Sequence, residues 1–176
     1  MDVRDLSLTV IFASLYSIMV IVLAPISYGP VQLRVADCLI PLAALFGLPV
    51  VVGVTVGCFL SNAYNWLGVY DVVLGPLANF IAAVVILLLR KHRLLACVVG
   101  ALPIGAIVGG YLWLFFPPPD IFGLNLPIWT AMVISITISS WMAMAVIGYS
   151  LLIILSRPGI IEPLKSRGLK VVKESQ

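Results

Sequence analysis

Long apolar runs make up most of the chain, and polar residues fall mainly in the short segments between them. A helix that crosses the roughly 30 Å hydrocarbon core of a bilayer needs about 20 apolar residues. Runs of about that length or longer cover residues 6–26, 48–67, 72–89, 94–116 and 128–155. A shorter run, residues 38–47, contains Pro41 and is either a short crossing or a re-entrant segment. The pattern predicts an all-α integral membrane protein.

Composition and charge placement strengthen this prediction. The chain is 62% hydrophobic and 10% charged, whereas soluble domains are about half apolar and a quarter charged. Over residues 6–89 the only charged side chains are Arg34, Asp37 and Asp71. A charge at the bilayer centre costs about 2.5–3.5 kcal/mol on insertion scales, so membrane helices largely exclude charge. An ordinary soluble domain, a disordered chain and a nucleic-acid-binding module are thereby excluded.

The basic residues predict the topology. They cluster in residues 90–93 and in a short tail at residues 157–176, and both clusters should be cytoplasmic because cytoplasmic loops are rich in Lys and Arg. If residues 38–47 cross the membrane, Arg34 is the only basic residue outside. If they do not cross, Arg4 lies on the outer side. We therefore expect one domain of six membrane helices, multi-pass in the cell membrane, with both termini cytoplasmic.

In this topology the rare polar side chains gather at the outer ends of the helices. Asn62 and Trp66 are four residues apart and share a helix face, and Asp71, Gly75 and Asn79 lie along one side of the fourth helix. Amides inside a membrane must find partners, because hydrocarbon offers none. The candidate ligand-binding residues are Gln32, Arg34, Asp37, Asn62, Trp66, Tyr70, Asp71, Asn79 and Trp129.

Each candidate also has a purely structural interpretation. Asp37 and Asp71 precede apolar runs and could be N-caps, and Arg34 could pair with Asp37 across a turn. The three aromatic candidates could form an interfacial belt, and the two asparagines could bridge helices. The convergence of polar groups on one side of the membrane favours a ligand site.

Small residues at four-residue spacing predict close helix packing. For the pair in the first helix, a docking face for another membrane subunit is the alternative to internal packing. The pairs are Gly53 and Gly57, Gly105 and Gly109, and Ala13 and Ser17.

Catalytic machinery is missing from the sequence. There is no phosphate-binding loop, the only histidine is His92 in a basic turn, and no cluster of metal-ligating residues is present. We expect no enzymatic activity, no cofactor and no metal. A small polar pocket without its own energy source is typical of a binding subunit that works with a separate motor.

Three segments, Pro25–Asp37, Gly57–Asn62 and Gly68–Gly75, resemble motifs of the QueT family. The resemblance implies the substrate-binding S component of an energy-coupling factor (ECF) transporter for queuosine precursors. It also implies docking through Ala13 and Ser17 onto a transmembrane coupling subunit (EcfT), which two cytoplasmic ATPases drive.

Queuosine precursors are 7-deazaguanines such as queuine, and their chemistry fits the polar residues. A carboxylate can accept the N1–H and 2-amino donors of the guanine-like edge. Arg34, Gln32 or an asparagine amide can donate to the 6-oxo group, a second carboxylate suits an aminomethyl cation, and the ring can stack on Tyr or Trp. The alternatives are an S component for another nutrient, such as a vitamin, and a membrane assembly subunit without transport function.

Overall fold

A computed structural model describes residues 2–27, 33–117, 126–166, 168 and 171, and this part of the chain is helical without strands. The elements in chain order are α1 (Val3–Val22), α2 (Ala24–Ser27), a 3₁₀ helix (Val35–Leu42) that continues as α3 (Ala43–Phe46), α4 (Leu48–Asn65), α5 (Val69–Leu88), α6 (Arg93–Leu112), α7 (Ile128–Trp141), a π-helical segment (Met142–Gly148), α8 (Tyr149–Leu155) and α9 (Pro158–Ser166). The predicted all-α architecture is confirmed.

Five of these helical stretches are long and apolar enough to cross a membrane. They are α1, α4, α5, α6 and the continuous 28-residue stretch Ile128–Leu155, which joins α7, the π-helical segment and α8. Large apolar side chains such as Ile11, Phe80 and Val146 are exposed on their outer surfaces, as expected for helices that face lipid.

The predicted second crossing is the exception. Val35–Phe46 is a shorter apolar helix, with eight residues in 3₁₀ and four in α conformation. At about 2.0 Å per residue in the first part and 1.5 Å in the second, it spans about 22 Å, less than the hydrocarbon thickness. Ile40 and Ala43 are both 0% exposed, so this segment lies inside the bundle.

Helices α1 and α4 pack side by side in parallel. A Cβ atom on Gly53 would lie 2.7 Å from Phe12 Cβ, and one on Gly57 would lie 2.7 Å from the Ala13 carbonyl oxygen. The Ser17 hydroxyl contacts the same place, donating to the carbonyl oxygens of Ala13 at 2.9 Å and Gly57 at 3.0 Å. Residue numbers therefore rise in the same direction along both helices. The chain between them must return to the end at which α1 begins.

The remaining long helices pack as antiparallel neighbours. Gly105 of α6 packs against Thr137 of α7, and Gly109 packs one turn further along α6 against Val133, one turn earlier in α7. Gly53, Gly57, Gly105 and Gly109 thus occupy the internal packing positions that their spacing predicts.

Ala13 and Ser17 lie in the seam between α1 and α4 and not on the surface of the bundle. Their side chains are 8% and 9% exposed, because the bare backbone of Gly57 lets α4 approach them closely. In this form the docking surface predicted for these two residues is covered by α4, which corresponds to the internal packing alternative. The exposed face of α1 is formed by apolar side chains that include Val10, Ile11 and Ile18.

The 3₁₀ helix is held in the bundle by the π-helical segment. A Cβ atom on Gly148 would lie 2.8 Å from the Cys38 carbonyl oxygen and 2.7 Å from Pro41 Cγ, so only glycine permits this approach. The contact places Asp37, the residue before Cys38, in the interior between α1 and the last long helix.

Candidate functional site

A buried polar cluster lies inside the bundle, where α1, the start of the 3₁₀ helix, α4, α5 and α6 meet. Its members share hydrogen bonds or an ion pair, and each is at most 6% exposed. They are Tyr16, Arg34, Asp37, Cys58, Asn62, Asp71, Asn79 and Tyr111. Five of the nine ligand candidates from the sequence, Arg34, Asp37, Asn62, Asp71 and Asn79, belong to this cluster.

One half of the cluster is built around the Asp71 carboxylate. Arg34 Nη2 lies 3.2 Å from Asp71 Oδ1 and forms an ion pair, and the Tyr111 hydroxyl donates to the same oxygen at 2.8 Å. Arg34 Nη1 lies 3.6 Å from Cys58 Sγ. Asp71 Oδ2 is buried and has no hydrogen bond with any residue that the structure describes. Asp71 therefore keeps an acceptor available after binding two donors.

The other half is a chain of three side chains. Asn79 Nδ2 donates to the Tyr16 hydroxyl at 2.7 Å, and this hydroxyl donates to Asp37 Oδ1 at 2.6 Å. The chain links α5, α1 and the 3₁₀ helix, so Asn79 bridges helices as one interpretation of the sequence predicted. Tyr16 is 0% exposed and holds Asp37 in the interior.

Local backbone structure explains how Asp71 faces inward. It is the third residue of α5, whose N-cap is Gly68, so the side chain of Asp71 does not cap the helix. Asn62 Nδ2 donates to the Asp71 backbone oxygen at 2.8 Å and fastens α4 to the start of α5. Gly75 makes room, since a Cβ there would lie 2.5 Å from Asn62 Nδ2.

Asp37 is not an N-cap either, because Arg34 occupies the N-cap position of the 3₁₀ helix. The ion pair that Arg34 makes with a described residue is to Asp71, not to Asp37 across the turn. Both carboxylates thus have roles beyond helix capping.

The formal charges in the cluster do not balance. Within the described residues it contains one arginine and two aspartates, which gives a net charge of −1 with all three ionised. Charges inside a membrane protein are costly and usually mark a substrate or ion pathway. The imbalance favours a cationic ligand, or one that offers several N–H donors.

A small cavity lies beside these charges, and its lining consists of residues that the structure describes. A cavity of about 10 Å³, about enough for one water molecule, lies at the cluster. Its lining is made of Arg34, Asp37, Ile104, Val108, Ile136 and Ser140. This cavity is too small for a bicyclic ligand, and Asp71, which is 0% exposed, becomes accessible only if neighbouring side chains move.

The three aromatic candidates lie outside the cluster. Trp66, Tyr70 and Trp129 are 63%, 57% and 58% exposed, so the structure does not bring them together with Arg34 and Asp71. Helix α4 ends at Asn65, and Trp66 has a left-handed backbone (φ 43°, ψ 63°), which removes it from the face of Asn62 that helical spacing predicts. Their exposure matches the interfacial belt alternative. Gln32 lies outside the described residues.

Sequence reasoning missed Tyr16, Cys58 and Tyr111. A signal was present for Tyr16, which lies well inside the first apolar run, where an interfacial belt does not explain a tyrosine. A phenol hydroxyl at that depth must find a hydrogen-bond partner. Tyr111 lies near the end of its apolar run, where an interfacial position is enough to explain a tyrosine. Among the described residues no group of three His, Cys, Asp or Glu could hold a metal ion.

Comparison with known proteins identifies the family. The model of the QueT transporter family matches residues 6–157. The chain belongs to the QueT transporter family. The resemblance seen in the three sequence motifs is thereby confirmed, and a family of transporters agrees with the expectation that the chain is not an enzyme.

One relative is the queuosine precursor transporter QueT of Lactococcus lactis subsp. cremoris (strain MG1363), which is 36% identical over 81 residues. The aligned region covers 44% of this chain and 46% of the relative, so it spans about half of each. No solved structure matches the chain.

Replacing Tyr16 with phenylalanine tests the hydrogen-bonded chain. Tyr16→Phe keeps the ring but leaves Asp37 and Asn79 without the shared hydroxyl, and a buried polar group left unsatisfied costs about 1–3 kcal/mol. We expect a clearly lower thermal midpoint for the protein in lipid nanodiscs. Tyr64→Phe is the matched control, because Tyr64 is 72% exposed. Equal midpoints for the two variants would contradict the role of the Tyr16 hydroxyl.

Proposed function

We propose that this chain is the substrate-binding S component of an ECF-type importer that takes up a queuosine precursor, such as 7-aminomethyl-7-deazaguanine or queuine. The observation that carries the proposal is the pair of buried carboxylates, Asp37 and Asp71, beside Arg34 inside a bundle of membrane helices. Membership of the QueT transporter family and similarity to the queuosine precursor transporter of Lactococcus support the same substrate class.

The chemistry of such a ligand fits the two halves of the cluster. The guanine-like edge presents N1–H and a 2-amino group side by side, and Asp71 can accept both through its two oxygens. An aminomethyl substituent is cationic and suits the second carboxylate, Asp37. The 6-oxo group needs a donor, which Asn62, Asn79 or Gln32 supplies in this proposal.

Thermal stabilisation of the protein by candidate ligands tests which substrate it binds. We expect 7-aminomethyl-7-deazaguanine to raise the thermal midpoint of the purified protein, because a ligand that binds only the folded state stabilises it. Guanine and a panel of vitamins serve as comparison compounds. Stabilisation by a vitamin alone would favour an S component for another nutrient. The absence of any shift, together with no co-purifying ATPase, would favour an assembly subunit.

The proposal includes six crossings and two cytoplasmic termini. Parallel packing of α1 and α4 supports an additional crossing by Val35–Phe46, since the chain must return before α4 starts. Arg4 Nη1 donates to the Gly168 oxygen at 3.0 Å, which supports placing the two ends of the chain on one side. The basic residues of the linker between α5 and α6 support the cytoplasmic assignment of that side.

Single cysteines at the two ends of α4 test this topology. Leu48 and Trp66 are 60% and 63% exposed, and the native Cys38, Cys58 and Cys97 are buried, which limits background labelling. In intact cells we expect a membrane-impermeant maleimide to label Trp66→Cys, whereas Leu48→Cys reacts only after the membrane is opened. Labelling of Leu48→Cys from outside would contradict the crossing by Val35–Phe46.

The proposed partners are a transmembrane coupling subunit (EcfT) and two cytoplasmic ATPases. Ala13 and Ser17 face α4 in this form, so we assign the docking surface to the outer face of α1, around Val10, Ile11 and Ile18. Ser14 lies on this face and is exposed, which leaves a small residue where a partner helix can approach.

A further inference from the structure

Arg34 donates to Asp71 from a planar guanidinium group. A guanidinium group carries its N–H donors in one plane, as does the N1–H and 2-amino edge of a guanine-like ring. In this structure one of those donors, Nη2, lies 3.2 Å from Asp71 Oδ1. The proposed ligand and the Arg34 side chain thus offer the same kind of donor edge to the same carboxylate.

The small cavity beside Arg34 also suggests that this side chain and a ligand compete for Asp71. The cavity beside Arg34 and Asp37 holds about one water molecule, about 10 Å³, and Asp71 is 0% exposed. Arg34, itself 6% exposed, contacts the fully buried Asp71, so a bicyclic ring reaches Asp71 only if a neighbouring side chain moves. Among the lining residues, Arg34 has the longest side chain, and it stands at the N-cap of the 3₁₀ helix with no capping hydrogen bond from its side chain.

We propose that Arg34 is a built-in competitor of the ligand: its guanidinium occupies the position at Asp71 that the N1–H and 2-amino edge of the ligand takes on binding. The ligand must displace Arg34 to bind. This inference rests on the proposed function, and it adds a specificity-determining role for Arg34.

Competition with Arg34 selects ligands by their donors. A ring that offers both N–H groups can bind both oxygens of Asp71, whereas Arg34 contacts this carboxylate through Nη2 at Oδ1. A ring without the 2-amino group offers one donor, as Arg34 does, and still leaves an acceptor of Asp71 unsatisfied in a dry interior, so it gains nothing by displacing the guanidinium. Arg34 thus prevents the binding of ligands that Asp71 alone would bind weakly.

Chemical rescue tests where the guanidinium binds. We expect Arg34→Ala to lower the thermal midpoint in nanodiscs, because Asp71 loses its cation, and millimolar methylguanidinium to restore it. Sodium chloride at equal ionic strength is the control for screening. The double variant Arg34→Ala/Asp71→Asn is the control for position and should not respond to methylguanidinium.

Competition then tests the inference itself. In Arg34→Ala the apparent Kd for 7-aminomethyl-7-deazaguanine should rise in proportion to the methylguanidinium concentration, because both compounds need Asp71. Independent binding of the two compounds would overturn the inference. If the ligand does not bind the wild-type protein, the proposed function fails; if it binds but methylguanidinium does not compete, only the role of Arg34 fails.

A conservative variant covers the case in which Arg34→Ala does not fold. Arg34→Lys keeps the positive charge but loses the planar edge of donors. A weaker competitor leaves Asp71 available more often, so we expect the ligand to bind this variant roughly threefold tighter or more. Weaker binding than in the wild type would assign Arg34 to direct ligand contact and overturn the inference.

Discussion

The variant Asp71→Asn is expected to lose at least about tenfold in affinity for 7-aminomethyl-7-deazaguanine, which corresponds to about 1.4 kcal/mol. The carboxylate accepts donors at Oδ1 from Arg34 and Tyr111 and has Oδ2 available, whereas an amide turns one of these acceptors into a donor. A donor that faces the N–H groups of the ligand repels them. Equilibrium dialysis with radiolabelled ligand measures the loss.

The same variant should also be less stable. A loss of stability distinguishes a buried ion pair from a role of Asp71 as an N-cap. Asparagine replaces aspartate at an N-cap with little loss, but Asp71 forms a buried ion pair with Arg34. Removing one partner of a buried pair costs about 3–5 kcal/mol, because it leaves a buried charge uncompensated. We therefore expect a large drop in the thermal midpoint of Asp71→Asn.

A double variant distinguishes ligand recognition from stability. Arg34→Met/Asp71→Asn removes both charges, so the midpoint should recover much of the loss, while ligand affinity stays low because the carboxylate is still absent. Recovery of both properties would show that Asp71 acts only through its ion pair. Unchanged affinity in the single variant would move ligand recognition to Asp37.

The polar residues of the site could be predicted from the sequence because membrane helices contain so few of them. A carboxylate or amide in an apolar run must find a partner inside the bundle, and Asp37, Asp71, Asn62 and Asn79 all do so. The pairing itself could not be predicted. Whether Arg34 binds Asp37 or Asp71 depends on how the 3₁₀ helix and α5 are placed relative to each other.

The roles of the aromatic residues were harder to predict, because tyrosine and tryptophan occur both in interfacial belts and in binding sites. Helical spacing put Trp66 on the face of Asn62, but the helix ends one residue earlier and the backbone at Trp66 turns into a left-handed conformation. Tyr70 is exposed although its neighbour Asp71 is fully buried, because successive residues on a helix point about 100° apart. An error of one residue at a helix end is enough to move a side chain from the site to the surface.

The short segment Val35–Phe46 shows a limit of hydropathy patterns. Its apolar run is too short to identify a crossing by length, and 3₁₀ geometry, which gains about 0.5 Å per residue over an α-helix, is not visible in composition. The parallel contact of α1 with α4, which depends on Gly53 and Gly57, comes from the structure and not from the hydropathy pattern.

Replacement of Gly109 by alanine should be strongly destabilising, although this residue lies outside the polar cluster. A Cβ atom there would lie 2.5 Å from Val133 Cα and 2.9 Å from the Val133 backbone nitrogen, so α6 and α7 would have to separate. Overpacking of this kind costs about 1–3 kcal/mol, and membrane helices depend on close packing because lipid supplies no hydrophobic force between them. We expect a lower thermal midpoint for Gly109→Ala in nanodiscs.

Gly110 supplies a matched control one residue further along the same helix. A Cβ atom on Gly110 meets nothing within 4 Å among the described residues, so Gly110→Ala adds the same methyl group without a clash. Alanine is also a better helix former than glycine by up to about 1 kcal/mol, which favours an unchanged or slightly higher midpoint. If the two variants were equally stable, the contact of α6 with α7 would not depend on a bare backbone at Gly109. A loss confined to Gly109→Ala would show that close packing of α6 on α7 requires a bare backbone at this position.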